Sequence, residues 1–272
     1  MLPAMGRVAG EHDYDVVVIG SGFGGSVAAL RLTEKGYRVG VLEAGRRFAA
    51  HELPKTSWRL RRYLWLPALR LFGIMRITLL KDVLIVSGAG VGGGSLVYAN
   101  TLYEPLEPFY EDRQWAGITD WRDELAEHFD QAKRMLGVTR YRGVTAPDRL
   151  IAEVAADLGV ADTLHQTDVG VLLGEPGVPQ GTEVPDPFFG GAGPSRRTCI
   201  ECGACMTGCR HGAKNSVDLN YLHLAEGAGA QVHPMTTATG VEALPGGGWA
   251  ITAHRSGNRL RRLGELAFGQ LL

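Results

Sequence analysis

Two glycine-rich loops, GSGFGG at residues 20–25 and GAGVGGGS at residues 88–95, constrain the fold of this chain more than any other feature. The first loop follows the apolar run YDVVVI, whose β-branched residues predict a buried strand, and it opens a helix that we expect to end near Lys35. A glycine-rich turn between a strand and a helix binds a pyrophosphate at the helix N-terminus. The first loop therefore predicts a Rossmann-like dinucleotide-binding unit.

Three glycines of the first loop each have a distinct structural role in such a unit. Gly20 permits the tight turn, Gly22 lets the backbone approach the pyrophosphate, and Gly25 allows the helix to pack closely on the strand. The next predicted strand, RVGVL, ends at Glu43, the position where an acidic side chain receives a ribose hydroxyl.

The second loop follows VLIV at residues 83–86, which reads as a short buried strand. Its unhindered backbone amides suit contact with a diphosphate and with a flat ring. The residues concerned are Gly92, Gly93, Gly94 and Ser95. Nicotinamide enzymes do not usually need such a loop, so the two loops together predict bound FAD.

The composition of the chain limits which classes of protein it can belong to. Of the 272 residues, 38 are glycine, about twice the typical ~7%, and the net charge of −1 argues against a nucleic-acid partner. No run approaches the ~20 apolar residues that span a bilayer. All four cysteines lie within residues 199–209, which suits a metal or redox site in a reducing compartment. We therefore expect a cytoplasmic protein.

Further elements follow from periodicity and capping. We predict helices over residues 121–136, with Asp120 as N-cap, over 147–158 and over 216–226, and strands over 231–233, 249–254 and 259–268. Residues 58–81 alternate apolar and basic side chains, and we favour a domain-linking segment there. The alternative is a flap that touches a membrane over an apolar substrate.

The motifs taken together resemble the glucose-methanol-choline (GMC) family of flavin oxidoreductases, and within it the cholesterol oxidase-like branch. The resemblance is carried by GSGFGGSVAALRLTEKGYRVGVLEAG and GAGVGGGSLVYANTLYEP, and also by TSW, DWR, VPDPFFGGAGP and CIECGACMTGCRHGAKNS. It spans nearly the whole chain.

The resemblance implies a division of labour among residues. The first-loop glycines would hold the FAD diphosphate, Glu43 the adenosine ribose, and residues 92–95 the flavin and diphosphate. Asn100 would make a polar contact near the isoalloxazine, and the backbone of Val232 would meet the adenine. The implied reaction oxidises a secondary alcohol, such as the 3β-hydroxyl of cholesterol, by hydride transfer to flavin N5, with reoxidation by oxygen or another acceptor.

The chain departs from the family at its end. The family's catalytic His lies in a C-terminal half that would follow residue 272, so we assign no catalytic residue here and read the chain as an N-terminal portion. The alternatives are a truncated remnant without catalysis and an iron–sulfur electron-transfer module.

The resemblance also implies the domain organisation, an α/β fold in which a Rossmann-like FAD-binding domain, a parallel sheet with flanking helices, is joined to part of a mixed α+β substrate domain. Residues 12–110 would form the first part of the FAD-binding domain. Residues 111–214 would form the partial substrate region with the cysteine-rich loop, and residues 215–272 would return to the FAD-binding domain.

The cysteine spacing is that of a bacterial ferredoxin run. The four positions are Cys199, Cys202, Cys205 and Cys209. The fourth is followed by Arg210 instead of proline, and no remote cysteine completes a cluster. Three readings stay open: an iron–sulfur cluster, a structural zinc site, and free thiols that pack the loop.

Overall fold

The computed structural model describes residues 13–257 and, as backbone, the strand at 262–271. The strands are β1 Tyr14–Ile19, β2 Val39–Leu42, β3 Trp65–Leu66, β4 Leu71–Phe72, β5 Met75–Leu79, β6 Leu84–Gly88, β7 Thr139–Arg140, β8 Asp168–Val169, β9 Glu183–Val184, β10 Arg196–Arg197, β11 Gln231–His233, β12 Thr236–Ala243, β13 Trp249–Arg255 and β14 Arg262–Leu271. The helices are α1 Phe23–Glu34, α2 Leu60–Tyr63, α3 Glu107–Tyr110, α4 Trp121–Met135, α5 Ala146–Asp157 and α6 Tyr221–Gly227.

One six-stranded sheet organises the described residues, in the order β11–β2–β1–β14–β13–β12. The four strands from β11 to β14 pair in parallel, and β13 and β12 continue the sheet antiparallel. All six strands come from residues 14–42 and 231–271, so the chain leaves this sheet after β2 and returns to it at β11.

The strand β1 lies at the centre of the core because its apolar residues are covered on both faces. Val16 and Val18 pack in a cluster with Leu30 of α1 and Leu222 of α6, while Val17 belongs to a cluster on the other face. A parallel strand buried on both faces reads as a near-continuous apolar run, as YDVVVI does. The predicted Rossmann-like α/β fold is confirmed.

The prediction of a buried strand over residues 83–86 is wrong. The strand there, β6, pairs only with β5 in an isolated hairpin, and Leu84, Ile85 and Val86 are 58%, 43% and 47% exposed. Only the start of β5, at Met75, packs into a core cluster among the described residues, while the apolar residues of β6 stay exposed.

The other predicted elements are largely confirmed. The Asp120 side chain caps α4 by accepting hydrogen bonds from the amides of Arg122 and Asp123. The helix predicted over 216–226 begins only at Tyr221, whose amide is capped by the Asn220 side chain. Part of the strand predicted over 259–268 lies outside the described residues.

No helix within residues 13–257 or 262–271 is long and apolar enough to cross a membrane.

Candidate dinucleotide site

The two glycine-rich loops touch each other at the C-terminal edge of β1. A Cβ atom added to Gly93 would lie 2.7 Å from the Cα of Gly22, so these backbones are as close as glycine allows. Gly92 and Gly93 have φ values of +108° and +53°, which favour glycine. The structure therefore brings together the two loops that the sequence predicted to act as one site.

The first loop has a closed side and an open side. Gly20 has a φ of +99°, and a Cβ at Gly25 would lie 2.0 Å from the Gly20 carbonyl oxygen, which is the close packing predicted for this glycine. By contrast, a Cβ at Gly22 or Gly24 would meet no described atom within 4 Å. Open space therefore lies against the loop where α1 begins, and the helix N-terminus favours an anion there.

The buried hydroxyl of Ser21 ties the two loops to Glu43. It donates a hydrogen bond to Glu43 Oε2 at 2.6 Å and accepts one from the amide of Gly92 at 3.1 Å. The Ser21 amide donates to the same carboxylate oxygen at 3.1 Å. One side chain inside the GSG turn therefore links three segments of the chain. Nothing in the glycine spacing signalled this role of Ser21.

Glu43 accepts more hydrogen bonds from the protein than the sequence suggested. Its Oε1 accepts a hydrogen bond from the Gly45 amide at 2.7 Å, and the residue is only 7% exposed. An ionised carboxylate has about four acceptor sites, and three donors already reach this one. Glu43 therefore holds the loops together and retains capacity for one more donor, which is the number a single ribose hydroxyl needs.

In the second loop, the side chain of Ser95 is turned inward. It donates to the Gly92 carbonyl at 2.7 Å and accepts from the Val217 amide at 3.0 Å. Gly94 is open, with Phe23 Cε2 at 3.9 Å from an added Cβ as its nearest contact. Any contact of this loop with a bound ring or phosphate would therefore come from backbone atoms.

Asn100 contacts the cysteine-rich loop, and Val232 lies in the strand β11. Asn100 has a φ of +63°, and its Nδ2 donates to Cys205 Sγ at 3.1 Å, while its buried Oδ1 has no hydrogen-bond partner among the described residues. Val232 pairs with Val41 in the sheet and is partly buried against the core. Their predicted contacts with FAD stay predictions.

The four cysteines line one cavity of about 340 Å³ and all are free thiols. Within the described residues, no group of three or more His, Cys, Asp or Glu side chains is placed to hold a metal ion. Metal ligation by Cys199, Cys202, Cys205 and Cys209, whether in an iron–sulfur cluster or a zinc site, is therefore not supported. The spacing alone suggested a site that these side-chain positions do not form.

Lys214 is a buried residue that the sequence did not reveal. The residue is 1% exposed, and its ammonium donates to the carbonyls of Leu96, Tyr98 and Cys205 at 2.9, 3.1 and 2.9 Å. Burial lowers the pKa of Lys214 to about 8. The lysine thus connects the segment after the second loop to the cysteine-rich loop. A lone lysine in a loop carries no sequence signal of burial.

The arrangement fits a dinucleotide. The open face of the first loop and the partly exposed Gly94 belong to the two loops that meet at Gly22 and Gly93, and Ser21 hydrogen-bonds Glu43 beside this contact. The glycines leave room that a side chain would fill.

Comparisons with known proteins agree with this geometry. Residues 18–55 match a family model described as an NAD(P)-binding Rossmann-like domain. The chain is 61% identical over 253 residues to a cholesterol oxidase of Mycobacterium tuberculosis, covering 93% of this chain and 44% of that protein. It is 26% identical over 252 residues to a GMC-type oxidoreductase of the same species, covering 89% of this chain and 34% of that protein. The chain is therefore similar to cholesterol oxidases and to GMC-type oxidoreductases.

This similarity confirms the resemblance seen in the motifs of the chain. The chain spans 44% of the length of the cholesterol oxidase that it matches. Among solved structures, an FAD-dependent oxidoreductase from Chaetomium thermophilum aligns with a TM-score of 0.57 at 13% identity, covering 94% of this chain and 44% of that one. At that identity the likeness supports the fold of this chain and nothing more.

Proposed function

We propose that this chain forms the FAD-binding part of an oxidoreductase that oxidises a secondary alcohol, a 3β-hydroxysteroid such as cholesterol. The observation that carries the proposal is the contact between two glycine-rich loops beside open space at the start of α1. The names of its relatives, cholesterol oxidase among them, supply the substrate class. FAD would accept a hydride at N5, and oxygen or another acceptor would reoxidise it.

In this proposal the chain binds and orients the cofactor. Gly20, Gly22 and Gly25 shape the diphosphate cradle, and Glu43 offers its remaining acceptor site to a ribose hydroxyl. The backbone of the second loop lies against the diphosphate and flavin. Asn100 would supply a polar contact and Val232 a backbone contact to adenine.

The base that removes the hydroxyl proton is assigned to no residue of this chain. We propose that it is a histidine in the part of the relatives' length that this chain does not span. The competing reading is an inactive truncated remnant without catalysis, which folds poorly or binds no flavin. An electron-transfer role through an iron–sulfur cluster loses its support because the cysteines are not placed as metal ligands.

We also propose the three-part domain organisation that the resemblance implies. The strands of the large sheet come from the first and last segments, residues 12–110 and 215–272. The intervening residues 111–214 contain α4, α5 and the short strands β7 to β10. We propose a cytoplasmic location, since the four free thiols suit a reducing compartment.

A visible absorption spectrum of the purified chain, taken before and after denaturation, tests the FAD proposal. We expect flavin bands that denaturation releases into solution. The matched variant is Gly22→Val, whose Cβ would meet no described atom within 4 Å and would extend into the open space. It should bind FAD at least tenfold more weakly, ~1.4 kcal/mol, with unchanged unfolding. A folded protein that retains a pyridine nucleotide and no flavin would contradict the proposal.

The hairpin of β5 and β6 offers a surface for peripheral membrane contact. Leu79, Leu80 and Val83 at its tip are 78%, 52% and 56% exposed, and Arg76 and Lys81 lie in the same hairpin. Apolar residues beside basic ones bind the interface of anionic bilayers. This contact would bring the protein to the sterol of a membrane.

Flotation with vesicles of mixed neutral and anionic lipid tests this surface. We expect the chain to float with the vesicles and Leu79→Glu to reduce the bound fraction severalfold. Leu106→Glu is the control, since Leu106 is 80% exposed and lies outside the hairpin. Equal binding of the two variants would argue that the hairpin is a linking segment only.

A further inference from the structure

The cavity that the four cysteines line also holds two polar atoms without partners. Asn100 Oδ1 and Arg210 Nε are both buried, and neither has a hydrogen-bond partner among the described residues. Both residues line this cavity, whose volume is about 340 Å³. A buried polar group without a hydrogen bond destabilises a protein, so a ligand that supplies the missing partners would be favoured here.

The two atoms need different partners. An amide oxygen only accepts hydrogen bonds, whereas the Nε of a guanidinium group only donates them. The Asn100 Nδ2 already donates to Cys205 Sγ at 3.1 Å, which leaves the oxygen for another partner. A ligand must therefore offer a donor to Asn100 and an acceptor to Arg210. A hydroxyl group is both.

The rest of the wall favours an apolar molecule without charge. Val169, Val171 and Ile200 are among the apolar residues that line the cavity. One acidic side chain, Glu201, and one basic side chain, Arg210, also line it, so their formal charges cancel. Pockets of this size bind small molecules mainly through apolar contact, and a few polar groups fix the orientation of the ligand.

We propose that this cavity binds a small alcohol, which donates its hydroxyl hydrogen to Asn100 Oδ1 and accepts a hydrogen bond from Arg210 Nε. The carbon skeleton of the alcohol packs against the apolar wall. The cavity prefers an alcohol to the corresponding ketone, because a ketone has no hydrogen to donate and leaves Asn100 Oδ1 unpaired.

The identification of this alcohol as the substrate rests on the proposed function, whereas its binding does not. Oxidation of a secondary alcohol gives a ketone, so the preference would favour binding of the substrate over retention of the product. Asn100 lies shortly after the second glycine-rich loop. An amide oxygen has two lone pairs, so Asn100 can contact both an alcohol and a bound flavin.

Ligand-observed NMR with cyclohexanol tests the proposal. This probe has a compact apolar ring and one hydroxyl group, and cyclohexanone is the matched probe without the hydroxyl hydrogen. We expect saturable binding of cyclohexanol and roughly fivefold weaker binding of cyclohexanone, the effect of one lost hydrogen bond. Equal or tighter binding of the ketone, or no saturable binding of the alcohol, would overturn the proposal.

Two substitutions separate the two contacts. Arg210→Met removes the donor and keeps an apolar stem, so both probes should bind about tenfold more weakly. Asn100→Gly removes the acceptor and suits the φ of +63°, so it should weaken only cyclohexanol, about fivefold, and bring the two probes to equal affinity. Arg113→Met, at an exposed residue that does not line the cavity, is the control. A control that weakens binding as much as Arg210→Met would contradict the assignment.

Addition of FAD to the complex with cyclohexanol separates this proposal from the proposed function. If the chain binds FAD and the affinity for cyclohexanol is unchanged, both proposals are supported. If the chain binds cyclohexanol but not FAD, the cavity proposal is supported and the proposed function fails. Displacement of cyclohexanol by FAD would show that Asn100 and Arg210 belong to the nucleotide site, which would overturn the cavity proposal.

Discussion

A Gly25→Ala variant should lose about 3 kcal/mol of unfolding free energy and all measurable FAD binding. The new Cβ would lie 2.0 Å from the Gly20 oxygen, 3.0 Å from the Gly20 carbonyl carbon and 3.2 Å from Val18 Cγ1. Two of these atoms are backbone and cannot rotate away, so α1 must move off β1. Urea unfolding followed by circular dichroism measures the loss, and flavin titration measures the binding.

Gly24→Ala is the matched control for that experiment. Gly24 lies in the same loop and within α1, but an added Cβ meets no described atom within 4 Å. Alanine in a helix is more stable than glycine by roughly 0.5–1 kcal/mol, so this variant should be slightly more stable than the parent. Equal destabilisation by the two substitutions would contradict the packing argument.

A Lys214→Met variant should be destabilised by about 3 kcal/mol at pH 7. Three carbonyl oxygens lose their N–H donor, and the site that remains is closed to water because Lys214 is 1% exposed. Methionine retains most of the side-chain volume, so the change isolates the hydrogen bonds of the amine. Denaturant unfolding of both proteins gives the difference.

The same pair of proteins should show a pH dependence of definite sign. Burial lowers the folded-state pKa of Lys214 to about 8, below the ordinary lysine value of 10.5. Between these values the unfolded chain binds more protons than the folded chain, so rising pH favours folding. The stability of the parent relative to Lys214→Met should therefore increase from pH 8 to pH 10.5, by roughly 3 kcal/mol at most. A difference that stays constant with pH would contradict the buried position of the amine.

The sequence predicted the elements that depend on local pattern. The run YDVVVI, the glycines of the first loop and the Asp120 cap each have short-range signals, and the structure has β1, α1 and α4 at those places. The sequence predicted that the two glycine-rich loops bind one ligand. It did not predict that the backbones of Gly22 and Gly93 touch, because glycine spacing does not show which residues of two loops meet.

The failures share a physical cause, which is that burial depends on contacts distant in sequence. VLIV has the composition of a core strand, yet β6 pairs with β5 alone and its side chains lie in solvent. Lys214 has the composition of a surface residue, yet three carbonyls enclose it. The cysteine spacing satisfies a cluster motif, but spacing does not fix where the side chains point.

The Ser21 hydroxyl bears on how small a working nucleotide module can be made from this chain. Its hydrogen-bond partner Gly92 lies 71 positions further along the chain, and closing a loop of that length has an entropic cost that other contacts must offset. An excised segment from β1 to the residue after β2 would contain Ser21 and Glu43 but would lack the second wall of the cradle. Grafts of this module into other scaffolds should therefore extend past residue 95, or supply another donor to the serine oxygen.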